Sequence, residues 1–413
     1  MFQGVRVFIG YTNFSVLRFG ATGWQESSNP NVKNHEAYKA RLFGSERLAL
    51  RSFLFFKLSL PQLAKAAEGH DLVHIVAYSR ELPQRYKDML LEAERKYPFL
   101  VLDELDNGVP TVLPQNIAKV RALKEPLTFI TYNLDDDDVL GKSFFKRLEQ
   151  YKRRDLAGFR VSLASGYSAI TEDNIIYDLR LKRVPLNNWG LASVCSVSPD
   201  GTEIFPPASG HDTCDQKGPV ILDSTGRTFL QLRHVSQDTE SRFGVSESRD
   251  RLLNQSRHLR KIESFSAFVD EFPEVAKYVT QEQNQELLTR PVVLKEEYID
   301  LSLPGQPTSF DLAFFVEDED RTERGELLAS FVLGNGEGTE VNNVGPIGMT
   351  SYSDKTDVKY HFFPKLEGSL HERSFSFRMP EGIRCLKVRL HNRANTRRAI
   401  VLNKVTLTVR EAE

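Results

Sequence analysis

The stretch LTFITYNLDDDDVL, residues 127–140, decides how the rest of the chain is read. It opens as an apolar run of strand length, rich in β-branched and aromatic residues, and stops at four consecutive aspartates, Asp135 to Asp138. Taken alone, such an acidic run is a solvated turn or the cap of a helix starting near Gly141. Its position argues for more. In open parallel sheets, backbone loops and helix N-termini converge at the carboxyl ends of strands, and ligands collect there. Carboxylates packed this densely repel one another, and a shared divalent cation relieves that repulsion. Mg²⁺ and Mn²⁺ need only one or two carboxylates and complete their shells with water and substrate phosphates. The stretch therefore predicts a site where Mn²⁺ or Mg²⁺ bridges to a diphosphate.

Outward from this strand, VRVFIG (5–10), DLVHIVAY (71–78) and FLVLDEL (99–105) read as further strands. Helical patterns separate them. Residues 37–60 read as one long helix stopped by Pro61, residues 82–97 as a second, and residues 143–154 as a third. This alternation predicts an α/β domain built on a largely parallel sheet. Between Gly158 and Val235 strands follow without long helices, as mixed or antiparallel additions to that sheet. The expected division is an α/β domain over 1–245, a charged helical extension over 246–290, and an all-β sandwich over 291–413. In the last of these, Leu386, Val388 and Leu390 alternate with Lys387, Arg389 and His391, and Val405, Leu407 and Val409 repeat the pattern.

Composition excludes several classes. Lys plus Arg total 54 against 56 for Asp plus Glu, a formal net charge of -2, so nothing marks a nucleic-acid binder. Three scattered cysteines make neither a disulfide framework nor a zinc site, which favours a reducing cytoplasm. The N-terminal run reads as a strand and not as a signal peptide, and no stretch of 18 uncharged apolar residues occurs, so membrane association would be peripheral.

Read as Asp135-x-Asp137-Asp138, the acidic run resembles the DxD signature of GT-A-type glycosyltransferases. The order FIGYTNFSVLRF, then ARLFGSERLALRSFLFFKLSLPQLAKAAEGHDLVHIVAYSRELP, then TYNLDDDDVL, then TFLQLRHVSQDT resembles the bacterial rhamnosyltransferase family over roughly residues 5–240. That resemblance implies a GT-A-like, Rossmann-like nucleotide-sugar-binding domain and sugar transfer. It places Asp135 near the donor nucleotide, Asp137 on the metal with Asp138 as a close alternative, and His234 in the metal shell; Asp136 is expected to point away. The expected partners are a nucleotide-sugar donor and a glycan or lipid-linked acceptor at the inner membrane face, with rhamnose named only by the family. A homo-oligomer is also expected.

Other residues carry separate expectations. Arg18 can fork onto the donor diphosphate, and Tyr11, Thr12 and Asn13 at the end of the first strand can line the nucleotide pocket. His211 and Asp212, in a loop flanked by Gly and Pro, are candidates to take the acceptor proton. Asn188 and Trp189 offer an amide and an aromatic face for the acceptor sugar, although a Trp anchoring the sheet fits as well. The acidic run at 317–320 reads as a hairpin turn. Two alternatives stand beside the transferase: an inactive carbohydrate-binding or scaffold protein, and a nucleotidyltransferase, for which the segment after the first strand offers a poor phosphate loop.

Overall fold

The structure is a computed structural model, and it describes residues 7–18, 35–106, 108–172, 174–237, 245–262, 264–280, 283–288, 290–294, 298–317, 326–335, 337–341, 351–353, 358–363, 371–379, 382–393 and 400–409. The chain divides into two compact units, Met1–Arg242 with Gln255–Val279, and Phe243–Asn254 with Thr280–Glu413.

The first unit carries strands β1 (Val7–Phe14), β2 (Asp71–Ser79), β3 (Leu100–Leu105), β4 (Leu127–Asn133), β5 (Asp138–Leu140), β6 (Arg160–Leu163), β7 (Ser165–Glu172), β8 (Ile175–Arg183), β9 (Ala192–Val197), β10 (Glu203–Ile204), β11 (Val220–Asp223) and β12 (Phe229–Arg233). Its main sheet runs β11-β6-β9-β4-β1-β2-β3, with β10 on β9. Strands β1 to β4 are parallel neighbours, whereas β9 runs antiparallel to both β4 and β6. The sheet is mixed, as the texture after Gly158 suggests. Strand order reverses at β1, since β2 and β3 lie on one side and β4 on the other. The crevice outside the carboxyl ends of β1 and β4 is therefore the topological switch point, where such folds bind ligands.

Four of the later strands leave that sheet. They form a second one, β5-β12-β7-β8, in which Asp138 of β5 pairs with Gln231 of β12. The three-residue strand β5 is too short to show a period, so the sequence alone does not announce it.

Helices α1 (His35–Leu42), α2 (Ser45–Ser52), α3 (Leu60–Ala66), α4 (Gln84–Lys96), α5 (Pro114–Arg121) and α6 (Phe144–Leu148) complete the unit up to β6. The long helix expected to stop at Pro61 does not stop there. It breaks at Gly44, and then α2 continues through a π-helical stretch, Phe53–Ser59, directly into α3, which holds Pro61 in its first turn. Proline clashes with the carbonyl four residues back in an α-helix. The wider π turn, in which the Leu60 N–H donates to the Phe55 carbonyl, moves that carbonyl out of register and lets the chain pass. Leu48, Phe55, Leu60 and Leu63 pack with Phe8, Tyr132 and Phe144 in one core. Residues 264–279 join the same unit: the buried Gln62 amide donates to the Glu271 carbonyl (3.0 Å), and the Glu271 carboxylate accepts from Ser143 N (2.9 Å) at the start of α6.

Among the described residues the second unit has two five-stranded sheets, antiparallel in every pairing, that share one core of Phe310, Leu312, Phe314, Val388, Leu390, Val405 and Leu407. It takes in the strand Gln283–Glu286, ahead of Pro291. The alternation read around Leu386 is displaced by one residue. A bulge puts Val332 opposite Lys387 and Leu333 opposite Cys385, so Cys385 enters the core while Leu386 stays half-buried. Of the acidic run at 317–320, residues 318–320 lie outside the described residues. Among the described residues no helix is long and apolar enough to cross a membrane.

Candidate active site

A cleft of about 1130 Å³ opens at the carboxyl ends of β1 and β4. Tyr11, Asn13, Ser15 and Arg18 line it from β1 and the turn beyond, and Thr131 to Asp138 line it from β4 onward. Asn188, Trp189, His211 and Gln231 line it as well, Asn188 and Gln231 directly beside the aspartates.

The four aspartates have unequal surroundings because each faces a different element. Asp135 opens to the cleft and accepts from the Asn188 amide (3.1 Å). Desolvation in the cleft, then the charges of Asp137 and Asp136, push its carboxyl up to about 7. Asp138 is buried, and burial together with Asp137 and Asp135 raises it well above the carboxylate range. The cleft wets Asp135, so Asp135 ionises before Asp138. Asp137 is also buried, and burial opposes its charge, but the Arg51 guanidinium and the His234 ring together hold it well below the usual range. Asp136 does not point away: it is buried, lines the cleft and accepts a hydrogen bond from Arg51.

Two elements distant in sequence deliver the partners of Asp137. His234 follows β12, whose pairing with β5 carries it to the cluster, and its Nε2 lies 3.1 Å from Asp137 Oδ2. The ring is fully buried, and burial keeps it neutral against the pull of Asp137. Ser236 Oγ sits 2.9 Å from its Nδ1 and orients it. Arg51, from α2, places Nη1 3.0 Å from Asp137 Oδ2. Arg51 shares the buried stripe of its helix with Leu48 and Phe55. A charged residue on the apolar stripe of an amphipathic helix is the signal by which the sequence could have disclosed it.

Beneath the cluster runs a fully buried polar chain. The Thr12 hydroxyl donates to the Leu134 carbonyl (2.7 Å), which directly precedes Asp135, and so accepts from His74 Nε2 (3.0 Å). His74 Nδ1 then accepts from the Tyr132 hydroxyl (2.9 Å). Burial drops His74 to about 3, so it is neutral and the direction of every bond is determined. Thr12 thus lies under the cleft floor and not in its wall, since alternate residues of β1 face opposite ways. Thr12→Val removes the hydroxyl that joins two buried groups and should cost about 1–3 kcal/mol in a urea melt.

A family model described as "putative rhamnosyl transferase" matches residues 8–246, more than half of the chain. The chain belongs to this family. It is a glycosyltransferase. No curated protein matches it. Among solved structures it is similar to Staphylococcus aureus TarS 1-349 in complex with UDP-GlcNAc, at 13% identity and TM-score 0.28 over 63% of this chain and 69% of that one. It is also similar to a Bacillus anthracis protein described as a "putative glucose-1-phosphate thymidylyltransferase" in complex with a sucrose, at 7% identity and TM-score 0.28 over 64% and 98%. A third likeness is to the Arthrobacter globiformis T6 isomalto-dextranase complexed with panose, at 13% identity and TM-score 0.15 over 27% and 15%.

The remaining expected residues of the transferase are distributed unevenly. Tyr11, Asn13 and Arg18 line the cleft, and Tyr11 Oη, Asn13 Oδ1 and Arg18 Nε are buried without a hydrogen-bond partner. Trp189 lines the cleft while its ring packs on Phe229 (4.8 Å between centroids) with Lys182 Nζ 4.7 Å from its centre, so it both anchors the sheet and faces the site. His211 lines the cleft; Asp212 is exposed and is not among its lining residues. The three cysteines are free and buried, and burial raises the Cys195 thiol to about 12. Of the segment read above as a poor phosphate loop, residues 19–23 lie outside the described residues.

Proposed function

We propose that this glycosyltransferase moves a sugar from a nucleoside-diphosphate donor to a glycan or lipid-linked acceptor, with a divalent ion held by Asp137 and His234. The observation that carries this reading is the meeting of Asp137, which lines the switch-point cleft, with the fully buried His234 behind it. Two adjacent ligands of an octahedral ion, each at roughly 2.1 Å, sit about 3 Å apart. Asp137 Oδ2 and His234 Nε2 are 3.1 Å apart. An imidazole nitrogen among the donors suits Mn²⁺ better than Mg²⁺. Among the described residues no third His, Cys, Asp or Glu joins them, so the donor diphosphate and water would supply the rest of the shell. When bound, the ion would neutralise the departing diphosphate.

The protein's own groups do the rest. Arg18 would fork onto the phosphates, and Tyr11 and Asn13 would face the nucleoside. Asp135 stands between the nucleotide and Asn188, and Trp189 with Asn188 supports the acceptor side. His211 is the proposed base. Its Nδ1 lies 3.0 Å from the Leu186 carbonyl, which can only accept, so neutral His211 carries its lone pair on Nε2. His211→Gln should lower the transfer rate by about 10²-fold, whereas Asp212→Asn should leave it within about twofold, read from initial rates at saturating donor. A thermal-shift series of nucleoside-diphosphate sugars with and without Mn²⁺ tests the whole reading. Protection by at least one donor that strengthens with Mn²⁺ is expected, and no protection by any donor under either condition overturns it.

A further inference from the structure

Arg51 already occupies the ground where a cation would work. Its guanidinium hydrogen-bonds Asp136 and lies 3.0 Å from the same Asp137 oxygen that His234 approaches to 3.1 Å. Arginine does not lose its proton in proteins, so the cluster holds a permanent positive charge. A hard dication on Asp137 Oδ2 would meet that charge at contact range in a buried setting, where Coulomb repulsion is strong. The backbone of Arg51 cannot retreat, because Leu48 and Phe55 on either side of it are fully buried in the core. Arg51 lines the cleft, so a ligand seated there comes within reach of its guanidinium. A guanidinium leaving a carboxylate finds its best replacement partner in a diphosphate, whose oxygens it meets with the same fork.

We propose that Arg51 competes with the divalent ion for Asp137, so that the ion and the donor diphosphate enter together and not one before the other. This rests on the metal-assisted reading above. Donor phosphate draws Arg51 off Asp137 and thereby opens the ligand; by linkage, the ion favours the donor by the same factor. Arg51 is a positioning residue in this scheme, acting through Asp137 and selecting paired entry over a resident metal.

The test measures free Mn²⁺ by electron paramagnetic resonance at about pH 8, with wild type, Arg51→Gln and Arg51→Lys, each alone and with uridine or thymidine diphosphate. Circular-dichroism melts establish that each variant is folded. Wild type should bind Mn²⁺ weakly alone and at least about tenfold more tightly with a nucleoside diphosphate. Arg51→Gln should bind Mn²⁺ alone about tenfold more tightly than wild type, with the nucleotide enhancement reduced, and Arg51→Lys should stay near wild type. A folded Arg51→Gln that binds Mn²⁺ alone no better than wild type overturns the competition while leaving metal assistance standing. Mn²⁺ binding by Arg51→Gln but never by wild type, even with nucleotide, overturns metal assistance and leaves Arg51 as the resident cation. If Arg51→Gln does not fold, wild type still decides: equal Mn²⁺ affinity with and without nucleoside diphosphate overturns the proposal.

Discussion

Asp137→Ala should lower sugar transfer by about 10³-fold or more, because neutralising a departing diphosphate supplies several kcal/mol and each 1.36 kcal/mol is about tenfold in rate. The fold should survive the change. Arg51 keeps Asp136 as a partner, and His234 is held neutral by burial and retains Ser236, so no buried charge is stranded. The useful measurement pairs transfer and donor-hydrolysis rates in Mn²⁺ with a circular-dichroism melt. Wild-type rates in the folded variant, or in wild type under excess chelator, would remove the metal from the mechanism.

Gly10→Ala should destabilise the protein by about 3 kcal/mol or more and take donor binding down with it. Gly10 lies on β1 opposite His74 of β2 and Tyr132 of β4, its register partners on the two sides. Those two side chains meet over it, His74 Nδ1 to Tyr132 Oη at 2.9 Å. A methyl group at Gly10 would overlap both His74 and Tyr132. The glycine is needed for space and not for an unusual backbone angle: it leaves the gap through which the outer strands join above the middle one. Closing the gap breaks the chain of bonds that ends at the Leu134 carbonyl, and so disturbs the residue from which the aspartate run starts. Urea melts monitored by far-UV dichroism check this, and a variant within about 1 kcal/mol of wild type would contradict it.

How much of this was legible in the sequence depended on the range of the interaction concerned. The strands β1 to β4 showed as short apolar runs because central parallel strands are buried on both faces, and helix α4 showed its period because burial along a helix stripe repeats locally. Pro61 misled because its usual effect assumes α-helical register, and the π turn that absorbs it is set by packing of Phe55 and Leu58 in the interior. Leu386 misled because a one-residue bulge exchanges the two faces of a strand without changing its composition. His234 was tied to the aspartates by family resemblance, not by any pattern of its own. Arg51 was passed over, since a lone arginine in a helix rich in Leu and Phe looks like a surface residue until the stripe is drawn.

The sequence by itself determined that an apolar strand ends in four aspartates within a βαβ order, that the charges nearly balance at a formal net of -2, and that a region of alternating β-strands follows. Only the tertiary structure decided which aspartate does what. Charge state at close quarters depends on neighbours brought together across the chain: Asn188 on Asp135, Arg51 on Asp136, and Arg51 with His234 on Asp137, while Asp138 is left to burial. Those neighbours lie 53, 85 and 97 residues away along the chain. Desolvation and Coulomb attraction act through space, so identical residues in a row acquired different chemistry only when the sheets closed around them.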